Sequence, residues 1–365
     1  MAVSKRRFCS FLLPLFFTGL GAFFFAGCAP RQEADFSAGT AVRAAGSGGI
    51  AALSGAVPER VELGQARGTE SSVPYKITEA AGGSKVYFTR DISGSGLLAA
   101  YKALGVPVSG KAAIKLHMGE PGNTNFLAPE IVMGLAGEVK ASLVDSNTYY
   151  GGSRGTTSGH LQAAKDHGFT FAPVDILDSQ GEVRLPIKNG KHQKEAILGS
   201  HIMDYDWVIS VAHFKGHSQA GFGGTFKNLA IGIASPSGKG SIHNKAGGGR
   251  FNENGEPFFE KIVEYNKALM DAKPGKMLYI NVLNNLSVSC DCDARAPKAL
   301  MGDIGILAST DPVALEKASL DLIYGSPEEG KRHLIERIES RGGIHQIIYA
   351  ERLGLGSQQY ELIRL

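Results

Sequence analysis

The sequence predicts an α/β fold: a largely parallel sheet with helices on both faces, arranged as two α/β halves around a cleft. From residue 85 onward, short β-rich runs alternate with helical patterns, as strands joined by covering helices do. The stretch that carries this alternation, residues 73–365, is long enough to bury a large core. Most of the apolar runs also stop on His, Asp, Asn or Ser, as strands do when their carboxyl ends border a ligand crevice.

The first strand is expected at 85–88 and the first helix at 96–104, where Leu97, Leu98, Tyr101 and Leu104 share one side. A strand at 112–117 ends on His117 and leads to a helix at 129–137. Next come a strand at 141–145 ending on Asp145, a helix at 158–167 that Ser158 or a neighbouring Thr can cap, and a strand at 171–176. The second half opens with a strand at 207–213 ending on His213, a Gly-rich turn into a helix at 225–233, and a helix at 258–270. A strand at 276–283 then runs into Asn284-Asn285. The last strand, 304–308, runs into Ser309 and Asp311, which are expected at the same ligand-bearing edge, before a helix at 312–323 with Pro312 in its favoured first turn. Loops are polar in any protein, so each strand end means little alone. Together, His117, Asp145, His213 and Asn284 are expected to converge on one pocket.

Residues 1–28 read as an export signal. Lys5, Arg6 and Arg7 precede an apolar run from Phe11 to Phe25, and Ala26-Gly27-Cys28 resembles a lipobox, in which Cys28 is acylated and becomes the new N-terminus. Phe25 stands where that signal usually has an aliphatic residue, and an uncleaved anchor is the other reading of such a run. The segment Ser4-Lys5-Arg6-Arg7-Phe8 also resembles a twin-arginine signal with one Arg replaced, although the long Phe- and Leu-rich run favours general secretion. Residues 29–72, rich in Ala, Gly, Ser and Glu, are expected to form a flexible tether. The expected location is the cell envelope, with the membrane as partner through the lipid. At a formal net charge of +3 and with no basic stripe interleaved with aromatics, nucleic acid is not an expected partner.

The densest chemistry lies in VISVAHFKGHSQAGFGGTFKN (208–228). His213 and His217 offer imidazoles to a transition metal, while Lys215, His217 and Lys227 are the candidate catalytic groups. The glycines Gly221, Gly223 and Gly224 open a helix and could present backbone N–H groups to a small anion; close helix-to-sheet packing explains them equally well. Their spacing matches neither G-x-x-x-x-G-K-[ST] nor G-x-G-x-x-G, since Phe226 holds the third glycine position. In DSNTYYGGSRGTTSGH (145–160), Arg154 could clamp a carboxylate or phosphate in two-pronged fashion. Cys9 and Cys28 belong to the signal, which leaves Cys290 and Cys292 in the folded part as a ligand pair, a local disulfide or inert thiols. As ligands they would join His213 or His217, with His117 and Asp145 as further donors, around one transition-metal ion or a small iron–sulfur unit. Two cysteines fall short of the four that a cubane cluster normally uses.

Five stretches in order, KLHMGEPGNTNF (115–126), DSNTYYGGSR (145–154), HFKGHSQAGFGGTFKNLAIG (213–232), NVLNNLSVSCDCD (281–293) and DIGILASTDPVAL (303–315), resemble the domain of unknown function family 362. That family is often labelled an uncharacterised iron–sulfur centre protein. The resemblance implies family residue types at His117, Asp145, His213, Lys215, His217, Lys227, Asn284, Cys290 and Cys292. Many relatives carry a ferredoxin-like insert after the position of Ser241-Ile242-His243; residues 244–258 contain no cysteine, so this chain lacks that module. Two functions follow as expectations: a metal- or cofactor-dependent enzyme acting on a small anionic substrate, or a tethered protein that binds a metal or small anion without chemistry. The His and Lys constellation beside a Gly-rich loop also resembles, loosely, lactate racemase-type enzymes.

Overall fold

The computed structural model describes residues 79–365; the expected signal, with Cys28, and the tether over 29–72 lie outside the described residues. The chain runs β1 (Glu79–Thr89), α1 (Gly94–Ala103), β2 (Ala112–Lys115), α2 (Pro129–Val139), β3 (Ser142–Asp145), α3 (Thr157–Asp166), β4 (Val174–Ile176), β5 (Glu182–Pro186) and β6 (Glu195–Gly199). It continues through β7 (Trp207–His213), β8 (Lys215–His217), β9 (Gly221–Gly223), α4 (Thr225–Ile233), α5 (Pro236–His243), α6 (Glu256–Ala272) and β10 (Met277–Leu283). Last come β11 (Gly305–Ser309), α7 (Pro312–Tyr324), α8 (Lys331–Ser340), α9 (His345–Arg352) and β12 (Tyr360–Arg364). Among the described residues no helix is long and apolar enough to cross a membrane.

Eight strands form one sheet in the order β12-β1-β11-β10-β7-β2-β3-β4. Every neighbouring pair is parallel except the two made by β11, which runs against both β1 and β10. The central strands β7 and β10 are buried at every position. Val208 and Tyr279 join one apolar cluster with Phe226, Phe258 and Val313 of α4, α6 and α7. Ile209, Val211 and Ile280 join the other with Leu97, Val132 and Leu135 of α1 and α2. Burial on both faces is why these runs read as continuous apolar stretches.

The topology fixes where a ligand can sit. From β2 the chain proceeds to β3 on one side, and from β7 it proceeds to β10 on the other. Connections that diverge in this way open a crevice beyond the carboxyl ends of the two strands between them. Lys115 ends β2 and His213 ends β7 at that point.

The antiparallel course of β11 corrects one expectation. Ser309 and Asp311 end their strand at the opposite edge of the sheet from His213. There Ser309 Oγ donates to the Lys85 carbonyl at 2.8 Å. Asp311 Oδ1 accepts from the Val313 and Ala314 amides at 2.8 and 3.0 Å, capping α7, while Oδ2 accepts from Ser84 Oγ and the Ser357 amide. Its role is structural. Asp311→Ala is expected to lower stability by about 1–2 kcal/mol, the usual cost of losing such a cap. An unchanged urea midpoint would show that the cap contributes nothing here.

Candidate functional site

A cavity of about 250 Å³ lies beyond the ends of β2, β3 and β7, with Lys115, His117, Asp145, Arg154, His213, His217, Lys227, Lys239 and Asp291 among its lining residues. Of the four residues expected to converge, His117, Asp145 and His213 line it, and the backbone carbonyl of Asn284 lies 2.8 Å from His213 Nε2. The loop that carries Cys290 and Cys292 follows β10, which pairs with β7 through Val282 and His213, and so starts beside the end of β7.

Asp145, at the end of β3, lies 3.2 Å from Lys115 Nζ and 3.5 Å from both Arg154 Nη1 and His160 Nε2. Burial alone would raise its carboxyl. The Lys115 ammonium, with His160 and Arg154, outweighs that effect and holds it well below the usual carboxylate range. Arg154 returns to the site through the turn at Ser153–Gly155, and its Nε lies 2.9 Å from Glu120 Oε2 while Nη2 donates to Tyr150 OH. The expected anion clamp is therefore engaged with carboxylates of its own chain and is only 2 % exposed.

The histidines expected as metal ligands are held by hydrogen bonds within the chain. His117 Nδ1 accepts from the Gly119 amide at 3.1 Å, and His217 Nδ1 accepts from the Gln219 and Ala220 amides at 3.2 and 2.9 Å. A backbone N–H can only donate, so at His217 Nδ1 carries the lone pair and the neutral ring carries its proton on Nε2. Burial pushes both rings well below their ordinary pKa, with Arg154 adding to it at His117 and Lys227 at His217. A metal-ligating imidazole works the other way round, donating its second N–H to an oxygen. His213 has oxygen at both nitrogens, Asp291 Oδ2 at 2.9 Å and the Asn284 carbonyl at 2.8 Å. None of the three offers a free ring lone pair to the cavity as arranged. Meanwhile Arg154 Nη2 lies 3.1 Å from His117 Nε2; a guanidinium only donates, so Arg154 and the Gly119 amide compete for the single lone pair of a neutral His117 ring.

Cys290 and Cys292 are joined to each other in a disulfide. Of the alternatives the sequence left open, the structure adopts this one, and bonded sulfurs supply no thiolates. One ring nitrogen of His217 and both sulfurs lie within 4.8 Å of one another, so the residues expected to share a metal do meet. A cubane cluster does not fit, because the sequence beyond Cys28 holds no further cysteine. Between the two sulfurs, Asp291 turns inward, its Oδ1 2.6 Å from Lys215 Nζ. Lys215 lines no part of the cavity; it is 1 % exposed and positions Asp291 from behind. The oxidised protein is accordingly expected to hold the same metal content as Cys290→Ser/Cys292→Ser and His213→Ala, measured by elemental analysis. A stoichiometric ion lost in those variants would overturn this reading.

The Gly-rich turn is also engaged internally. A Cβ on Gly221 would lie 3.0 Å from the Gly343 Cα and the Ile338 carbonyl, so this glycine serves the packing of the β8–β9 hairpin. A Cβ on Gly224 would fall 2.2 Å from Glu316 Oε2, and Glu316 Oε1 accepts from the Phe226 amide at 3.0 Å. An internal carboxylate thus caps α4 where an anion was expected; burial raises Glu316 to about 7, against the Phe226 hydrogen bond. Gly223 and Gly224 still line the cavity wall.

What remains for a ligand is cationic. Lys227 has no hydrogen-bond or ion-pair partner among the described residues. Burial, and then the nearby Lys115, push it down to about 8. Lys239 donates to Ser146 Oγ at 3.0 Å and the Ala234 carbonyl at 2.6 Å, and burial pushes it down to about 7. The sequence reading missed Lys239, whose short helix PSGKGSIH lacks an apolar period and conceals a lysine aimed inward.

The family model described as Domain of unknown function (DUF362) matches residues 112–321, more than half of the chain. The chain belongs to the DUF362 family. No curated protein matches the sequence. Two solved structures resemble this DUF362 protein at low similarity. One is the lactate racemase apoprotein from Thermoanaerobacterium thermosaccharolyticum, at 15% identity and a TM-score of 0.34, covering 54% of this chain and 50% of that one. The other is a structural-genomics target from Thermotoga maritima, at 11% identity and a TM-score of 0.34, covering 71% and 58%. The DUF362 chain thus spans about half the length of the racemase.

Proposed function

We propose that the cavity binds a small anion, a carboxylate or phosphate, and that Lys227 transfers a proton on it, making the protein an enzyme acting on a small anionic substrate. One observation carries the reading. The cavity's carboxylates are already matched, Asp145 by Lys115 and Arg154, Asp291 by Lys215 and His213. Lys227 and Lys239 are left without a carboxylate of their own. An anion between them would restore the balance. An amine titrating near 8 is matched to proton transfer close to neutral pH, where both of its forms are available. The test is calorimetric titration of small carboxylates and inorganic phosphate, followed by solvent-deuterium incorporation into whatever binds. Saturable binding without exchange would favour the non-catalytic binding protein; no binding of any anion would remove both.

A transition-metal reading has one observation in its favour, the approach of His217 to the two sulfurs. It requires a reduced Cys290–Cys292 pair and a His217 ring released from the Gln219 and Ala220 amides.

We also propose that the protein acts in the cell envelope, anchored by lipid on Cys28, on the strength of Ala26-Gly27-Cys28 after an apolar run. Palmitate labelling of cells should mark the wild type and spare Cys28→Ser. A shortened, lipid-labelled Cys28→Ser protein would sink the assignment.

A further inference from the structure

Away from the cavity, three segments remote in sequence bring a second group of donors together. Helix α6 carries Glu256, Glu260 and Glu264 four residues apart, on one stripe. Helix α9 begins with His345 and carries Tyr349 one turn on. The two helices meet through His345 Nε2, 3.1 Å from Glu260 Oε1, and through Tyr349 OH, which donates to Glu264 Oε1 at 3.1 Å. His345 Nδ1 lies 3.5 Å from Glu256 Oε1.

The third segment is the turn between β5 and β6. Glu264 accepts from three successive backbone amides there, Lys191 at 2.6 Å, His192 at 2.9 Å and Gln193 at 2.8 Å. Pinned in this way, the turn delivers His192 Nε2 to Glu260 Oε2 at 2.5 Å. Two imidazoles thus converge on one carboxylate that is 5% exposed at its side chain, and a second carboxylate stands beside it. The ligand atoms of Glu256, Glu260 and His345 lie within 4.8 Å of one another.

We propose that His192, Glu260 and His345, with Glu256, form a binding site for one divalent transition-metal ion, of the zinc or nickel class. The ring nitrogens of His192 and His345 face carboxylate oxygens, unlike Nδ1 of His117 and His217, which faces backbone amides, so an ion can take the position of the shared proton. Mixed nitrogen and oxygen donors suit borderline ions of this class. Glu264 and Tyr349 hold the ligand-bearing turn and helix in place, the support that tight sites require. The way in is open, since His192 and Glu256 side chains are 20% and 60% exposed. Lys191 Nζ, 3.0 Å from Glu260, competes weakly, because its side chain is 61% exposed and such surface pairs contribute little. A bound ion would fasten α6, α9 and the β5–β6 turn to one another.

The site is tested on the detergent-solubilised full chain by cobalt titration, read from the visible absorption of the bound ion, and by zinc calorimetry. One equivalent is expected in wild type, weakened at least ~tenfold in His345→Ala and in His192→Gln. Cys290→Ser/Cys292→Ser should bind as wild type does, which separates this site from the cavity. His192→Gln lies on a part-exposed turn and decides the matter should His345→Ala fail to fold. Absence of saturable binding in wild type, equal affinity in His192→Gln, or loss of the ion in the cysteine variant would each overturn the proposal.

Discussion

Lys227→Met is expected to abolish anion binding and turnover while raising thermal stability. The loss of activity should be about 10²–10⁴-fold, the range for removing a proton-transfer group. Stability moves the other way because an ammonium held without a partner opposes folding. In the folded chain Lys227 titrates near 8 instead of the ordinary 10.5. Below pH 8 both states are protonated and the folded state bears the full penalty. Between 8 and 10.5 the unfolded chain binds the extra proton, so wild-type stability rises with pH through that window. The Tm advantage of Lys227→Met should therefore shrink as pH rises above 8. Anion affinity of the wild type should fall over the same range, since a bound anion favours the protonated amine. A variant that keeps wild-type affinity, or a Tm gap indifferent to pH, would refute the role given to this lysine.

Removal of Asp291 should have the largest effect on stability. Asp291→Ala leaves His213 and Lys215 buried with their carboxylate gone, and breaking such a group by removing one partner costs about 3–5 kcal/mol. In wild type, burial opposes the Asp291 charge, but His213 and Lys215 outweigh it and hold the carboxyl well below its usual 3.8. A depressed carboxylate contributes stability that is complete above that value and is lost as pH falls beneath it. Urea unfolding of wild type and Asp291→Ala at pH 7 and near pH 3 reads both effects. The gap between them should narrow in acid; a gap below about 1 kcal/mol at pH 7 would show that the three groups are not coupled.

The parts of this architecture that were legible in sequence are those fixed by burial. The runs at 207–213 and 276–283 are largely apolar because both sheet faces are covered, and Asp145 and His213 end their strands at one edge, with His117 two residues beyond the end of β2. Direction was not legible: nothing within 304–308 states that β11 runs against its neighbours, so Ser309 and Asp311 were assigned to the wrong edge. Nor were partners. Lys215 reads as catalytic until Asp291, 76 residues later, is seen to hold it. The histidine roles depend on which ring nitrogen meets a backbone amide, as at Gly119 and Ala220, and residue spacing does not encode that. Beyond residue 323 the sequence pattern names no element, yet α8, α9 and β12 follow, and α9 brings His345 to α6.

The place of β1 in the sheet has a consequence for how the molecule is made. Val86 pairs with Ser309 on one side and with Leu362 on the other, so the first strand has no hydrogen-bonded neighbour until nearly all of the chain exists. Contacts this remote in sequence form slowly, and until they form both edges of β1 are open to wrong pairing. A nascent chain of this design stays unfinished during synthesis. That delay makes a holding chaperone most useful while residues 305–364 are still missing.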